Sequence, residues 1–372
     1  MPHRLGRCFG AVVASLCAAT AFTIVPASPA GAATKTFSVA NCASRVSATH
    51  GAGCGEALSH AVRWLNPGDV LKIAPGTYDV GKLGLAPYND GPNRSRITIT
   101  AQDASRPPLI RGDVRLHKPY NVTLSRLRFQ ATVSGASALG ILCGTGWRLE
   151  RSHVFGASKT RAFSNLTIAG DRAQCPDEPR GFTVANNVFN QPYTNPNLQD
   201  HPDPDIRVTA VAYHNVYTTF EGSPATSGVI ERNLFIGNRN GSGVKLGSAG
   251  DRGPWNVKVR FNTFYDGAYA VLLAYDVRNN ALNGNLVVDM RGGPASADGA
   301  AVAVSELRDT SNTIAHTYGH EIKKVWADIK TGSRLTVGPD NAIRPSPRFW
   351  GYLLHPTYDP AKPYGRYGDG SF

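Results

Sequence analysis

The sequence predicts an all-β chain wound into a solenoid of short strands. Three observations point there: a weakly repeated phrase recurs along the chain, strand-like runs accompany each copy, and turn-forming residues are in excess. The 39 Gly and 25 Pro are 64 of 372 residues, about 17% against roughly 12% in average proteins, and below the level of disordered chains. A hydrophobic content of 41% supplies a core, while two Met and few unbroken helix-forming stretches argue against a helical bundle.

Residues 1–33 read as an export segment. Arg4 and Arg7 provide a positive start, an apolar run extends from Phe9 to about Val25, and Ala30-Gly31-Ala32 offers small residues for cleavage. Pro26 and Pro29 break the run, which argues against a membrane anchor, and no other stretch is apolar enough to span a bilayer. The mature chain is expected from about Thr34, secreted and extracellular, as a monomer. Its net charge falls from +12 to +10 with the loss of Arg4 and Arg7. Four cysteines remain, Cys42, Cys54, Cys143 and Cys175. An even number in an exported chain reads as two disulfides. Of the three possible pairings we favour the local ones, Cys42 with Cys54 and Cys143 with Cys175, each worth roughly 3–4 kcal/mol on the chain-entropy account. Zinc would need ligand pairs two to four residues apart, which the cysteines lack.

The repeated phrase reads Arg126-Leu127-Arg128-Phe129, Arg151-Ser152-His153-Val154-Phe155, Asn186-Asn187-Val188-Phe189 and Arg232-Asn233-Leu234-Phe235. It continues as Phe261-Asn262-Thr263-Phe264, Gly284-Asn285-Leu286-Val287 and Ser311-Asn312-Thr313-Ile314. Spacings of 26, 34, 46, 29, 23 and 27 residues suit one solenoid coil, the longer ones with an insertion, and the short ones exclude a propeller blade. Runs such as Asn256-Val257-Lys258-Val259 precede the phrase, and others such as Gly243-Val244-Lys245-Leu246 follow it. Their period of two sends alternate residues into the coil. Asn187, Asn233, Asn262, Asn285 and Asn312 are expected to stack at one tight corner, since Asn tolerates a left-handed backbone and can bond to its neighbours above and below. A sugar-binding Asn row is the competing reading.

The start of the mature chain has its own order: an amphipathic helix, Gly55 to Trp64, then Pro67-Gly68-Asp69 to Pro75-Gly76-Thr77-Tyr78, Ile97-Thr98-Ile99-Thr100-Ala101, and Leu109-Ile110-Arg111-Gly112. This order resembles the opening of the right-handed parallel β-helix superfamily, the pectin-lyase-like secreted polysaccharide-processing proteins. The resemblance covers roughly residues 55 to 315. It implies a right-handed parallel β-helix over 34–315, an N-terminal capping helix that covers the first open coil, and a C-terminal capping segment at 316–372.

Two segments exceed what a coil needs, Ala169 to Arg180 and Gln191 to about Asp205, and loops on a rigid scaffold carry function. Both should project near Lys245. Val244 and Leu246 are expected inside the coil, so Lys245 points out, with Leu272 and Ala303 at the matching positions of the next two coils. By the resemblance, this strand belongs to the sheet on which pectate-lyase-like enzymes build their sites. Arg239 and Arg252 flank Lys245 in sequence. Cleavage of a uronic-acid polymer by β-elimination needs the carboxylate neutralised, a base for the adjacent C–H, and an acid for the departing oxygen. Arginine suits the first task because it is always charged and grips carboxylates with two hydrogen bonds. Lysine suits the second if neighbours lower its pKa. Lys245, Arg239, Arg252 and His214 are therefore the candidate catalytic residues, with Tyr213 and Arg207 as candidate substrate contacts. An ordinary surface lysine is the competing reading. Asp200, Asp203 and Asp205 alternate in a Pro-stiffened run whose oxygens suit calcium, and a solvated turn is its competitor.

Neither the paired Asp with a downstream Gly-His-Gly of polygalacturonase-type hydrolases nor the Trp-x-Asp-His of the best-known pectate lyases occurs. The expected function is a polysaccharide lyase acting on an anionic polysaccharide drawn in by the positive charge. A non-catalytic carbohydrate-binding protein and a hydrolase or epimerase on the same scaffold are the alternatives. Dispersed basic residues without a stacking-aromatic motif argue against nucleic acid as partner.

Overall fold

The computed structural model describes residues 32–43, 54–87, 94–132, 136–156, 164–170, 173, 175, 178–190, 214–238, 241–247, 253–290, 299–330 and 334–343. Residues 1–31, the expected export segment, lie outside the described residues.

Every strand pairing is parallel, and each strand bonds to the equivalent strand one coil away, which makes the protein a parallel β-helix. Three ladders run through the described residues. The first joins Val70–Ile73, Ile97–Ala101, Val122–Ser125 and so on to Thr336–Val337. The second contains Val188–Asn190, Leu234–Ile236, Thr263–Tyr265 and Leu286–Val288. The third contains Ser164–Ala169, His214–Thr219, Ser242–Leu246, Tyr269–Ala274 and Ala300–Ser305. In the first coils the second and third ladders are one, because Thr77–Leu85 and Leu109–His117 are long enough to serve both.

Alternation fills the coils. Phe189, Phe235 and Phe264 are register partners, and their rings stack at 5.0 and 4.7 Å. Val216, Val244, Val271 and Val302 form the matching inward row of the third ladder. The Gly55–Arg63 helix packs on Thr77–Leu85 and buries Ala57, Leu58 and Val62 in the same core. Both favoured disulfides are present, Cys42–Cys54 and Cys143–Cys175.

The Asn corner forms, with two differences from expectation. Asn187, Asn233, Asn262 and Asn285 stack between the first and second ladders, each Oδ1 accepting the backbone N–H of the residue one coil before, at 2.9–3.0 Å. Asn312 is not among them. It stacks on Asn280 at the corner that leads into the first ladder, where Asn280 donates to its Oδ1 at 2.9 Å. Ser311-Asn312-Thr313-Ile314 is therefore a first-ladder segment, and its likeness to the phrase came from sharing an Asn corner of a second kind. The left-handed residue is also not the stacked Asn but the one before it: Asn186, Arg232, Phe261 and Gly284 have φ of 56°, 54°, 55° and 65°. The ladder hydrogen bonds hold these corners against the steric penalty of that region.

The coils also continue past the boundary expected at 315. Tyr318–His320 pairs with Leu286–Val288, Lys324–Lys330 with Ala300–Ser305, and Ala342–Ile343 with Tyr318–His320. No described helix is long and apolar enough to cross a membrane.

Candidate functional site

The outward row of the third ladder positions the candidate site. Register partners along it are Arg115, Gly140, Thr167, Tyr217, Lys245, Leu272 and Ala303. Lys245 thus stands where the alternation placed it, with Val244 and Leu246 fully buried on either side. The next two outward positions are apolar, so one cation emerges from a greasy stretch of sheet.

Lys245 is partly buried, and its ammonium lies 4.9 Å from the centre of the Tyr217 ring one coil earlier. Among the described residues no carboxylate pairs with it. Burial without a counter-charge disfavours the ammonium and lowers its pKa to about 8. The amine is therefore accessible near neutral pH, as a general base requires. Tyr217, 6% exposed, has its phenol pKa raised, chiefly by burial. The two groups are pushed in opposite directions, the ammonium toward its neutral form and the phenol toward staying protonated.

His214 begins the same strand as Tyr217, and its ring centre lies 5.6 Å from the Tyr217 ring. It is 1% exposed, and the backbone N–H of Ser242 donates to its Nδ1 at 3.2 Å, with Ser242 Oγ at 2.9 Å. An N–H can only donate, so Nδ1 carries no proton. Burial, reinforced by the nearby Lys245 charge, lowers the His214 pKa well below its usual 6.5. The ring is a buried neutral group packed against Tyr217. Arg239, Arg252, Tyr213 and Arg207 lie outside the described residues, as do Asp200, Asp203 and Asp205. Among the described residues the cluster closest to a metal-ligand set is Cys143, Cys175 and Glu178. Its two sulfurs are joined to each other, and Glu178 accepts from Gly144 N at 2.8 Å and Thr145 Oγ1 at 3.2 Å, so it is a structural brace.

Sequence reasoning missed two groups on the row. Tyr217 lies in Asn215-Val216-Tyr217-Thr218, with Val216 and Thr218 buried inside, so period-two alternation would have turned it outward beside Lys245. Arg115 alternates with Val114 and Leu116 in the same way. It lines a cleft of about 280 Å³ with Asp113, His117, Gly140 and Thr167.

No family model and no curated protein matches the chain. Among solved structures it is similar to a mannuronic acid specific polysaccharide family 6 lyase from human gut microbiota, at 13% identity and a TM-score of 0.47, covering 82% of this chain and 66% of that one. The PL6 family alginate lyase AlyGC gives 13% identity and 0.49, over 82% of this chain and 40% of that one. A family 28 exopolygalacturonase of Yersinia enterocolitica gives 10% and 0.37, over 83% of this chain and 79% of that one. The chain therefore spans less than two thirds of the first two. With these TM-scores below 0.5, the fold rests on this chain's own ladders.

Proposed function

We propose that the protein is a secreted polysaccharide lyase that cleaves a uronic-acid polymer by β-elimination, with Lys245 as the base. The observation that carries this reading is Lys245 itself: partly buried, without a carboxylate partner among the described residues, over Tyr217, with its pKa lowered to about 8. A structural surface lysine gains nothing from that environment, whereas a base for a carbon acid needs it.

In this reading the neutral Lys245 amine takes the proton on the carbon next to the substrate carboxylate. The C–H electron pair forms the new C=C bond while the C–O bond to the departing sugar breaks. Tyr217, kept protonated by burial, gives its proton to the leaving oxygen and is later reprotonated from solvent. Arg239 and Arg252 are proposed to neutralise the carboxylate, Arg207 and Tyr213 to contact neighbouring sugars, and His214 to hold the Tyr217 ring it packs against. The two disulfides fit an oxidising, extracellular setting.

The test is incubation with pectate, alginate, glucuronan and chondroitin, with and without calcium. A lyase leaves an unsaturated uronide that absorbs in the ultraviolet. Reducing ends without that absorbance would mean hydrolysis, and binding without product on every polymer would mean a non-catalytic module.

A further inference from the structure

The Arg115 cleft and Lys245 share one row. Arg115 pairs in register with Gly140, Gly140 with Thr167, Thr167 with Tyr217, and Tyr217 with Lys245. Four strand spacings of about 4.8 Å separate the two cations by roughly 19 Å along the outer face. The cleft, about 280 Å³, opens on that same face.

Its construction is that of a built recognition site. Asp113 is 2% exposed and holds the Arg115 guanidinium by one edge, Nε at 3.1 Å to both carboxylate oxygens and Nη2 at 2.8 Å to Oδ2. The Arg115 side chain is nevertheless 60% exposed, so an oriented fork with hydrogens to spare faces solvent. Gly140, the next residue in the row, contributes no side chain and leaves the floor open. A Cβ there would meet Arg115 Cγ at 3.6 Å, an ordinary contact, so the strand does not require glycine. Thr167 Oγ1 closes the far side, fixed by Ser137 Oγ and Ser164 Oγ at 2.6 Å each. His117 lines the cleft one outward position beyond Arg115.

We propose that this cleft is a distal subsite that grips a uronate residue of the polymer, its carboxylate on the free edge of Arg115 and its hydroxyls toward Thr167 and His117. The proposal rests on the lyase reading of Lys245, since it is the polymer at Lys245 that would reach the cleft. A chain threaded along the row is then held at two points, and affinity rises once it spans both.

The experiment is calorimetric titration of Lys245→Ala protein, which does not turn over, with defined uronate oligomers. A trimer falls short of the span and a decamer exceeds it. The decamer should bind at least tenfold tighter than the trimer. Gly140→Leu, which fills the cleft, should remove that advantage and leave trimer affinity unchanged. The double variant D113N/R115Q, which keeps a neutral hydrogen-bonded pair in place of the ion pair, should do the same if Gly140→Leu does not fold. Equal affinity for both lengths, or a length advantage that survives the variants, would overturn the subsite. Absence of unsaturated product from the wild-type protein, by contrast, would remove the lyase reading while the length-dependent binding is still measured.

Discussion

Replacing Asn233 with alanine takes the centre out of the Asn stack. Its side chain is fully buried and makes four contacts: Nδ2 donates to Val184 O at 2.9 Å and to Asn262 Oδ1 at 3.0 Å, while Oδ1 accepts from Asn187 N at 2.9 Å and Asn187 Nδ2 at 3.0 Å. Two of the four partners have a fallback, because Asn187 Nδ2 still reaches Leu149 O and Asn262 Oδ1 still accepts Asn233 N. The other two, Asn187 N–H and Val184 C=O, lose this partner inside a dry corner. At about 1–3 kcal/mol for each buried group left unsatisfied, the loss is about 2–6 kcal/mol. Asn341 is the control. It bonds Thr317 N, Ile314 O and Gly338 O but is only partly buried at the last described corner, so Asn341→Ala should lose about 1 kcal/mol. Urea unfolding followed by circular dichroism reads both as midpoint shifts. Hydrogen exchange should place the Asn233→Ala loss in the coils around residues 182–264. Equal shifts for the two variants, or no shift for Asn233→Ala, would refute the account of the corner.

Further predictions follow from the same contacts. A double-mutant cycle between Asn280 and Asn312 should show a coupling of about 0.5–3 kcal/mol, and one between Asn262 and Asn312 should be additive, because only the first pair shares hydrogen bonds. Gly228→Ala should cost about 1–3 kcal/mol, since a Cβ there would lie 2.0 Å from Phe182 Cζ, and Phe182→Leu in the same chain should recover part of it. Acid should unfold the protein steeply. His153 is buried with its pKa lowered to about 3, mainly by burial and also by Arg128, and His214 is lowered as well. The unfolded chain binds the extra proton below the usual 6.5, so stability is complete above that pH and, for His153, falls on acidification toward 3 by about 1.36 kcal/mol per pH unit, with His214 acting in the same direction. His153→Phe should flatten that limb by one such slope, and an unchanged slope would contradict the assignment.

The fold was legible because a solenoid writes its geometry repeatedly. Val244, Lys245 and Leu246 reveal their faces by alternation alone, and the same alternation puts Leu272 and Ala303 at the matching positions. Asn312 misled because two different corners use the same residue for the same physical reason, an amide that bonds up and down the stack. The left-handed position was obscured by its variety: Arg232 and Phe261 occupy it as readily as Gly284, the stack hydrogen bonds bearing the strain. Beyond 315 the strand signal is weak where the strands are short and exposed, as at Thr336–Val337 and Ala342–Ile343. At the site, Lys245 stood out as a charge in an apolar row. Tyr217 did not, because an aromatic in a strand is ordinary until register places it under the ammonium. His214 drew notice for its chemistry, and the structure buries it against the Tyr217 ring.

The central claim is that the Lys245 amine removes the proton. On whichever polyuronate yields unsaturated product, kcat/KM should rise about tenfold per pH unit below pH 8 and level off above it, following the amine whose pKa burial lowers to about 8. Lys245→Ala should abolish the reaction, and added small primary amines should restore part of it in proportion to their free-base concentration. Full activity of Lys245→Ala without added amine would contradict the account.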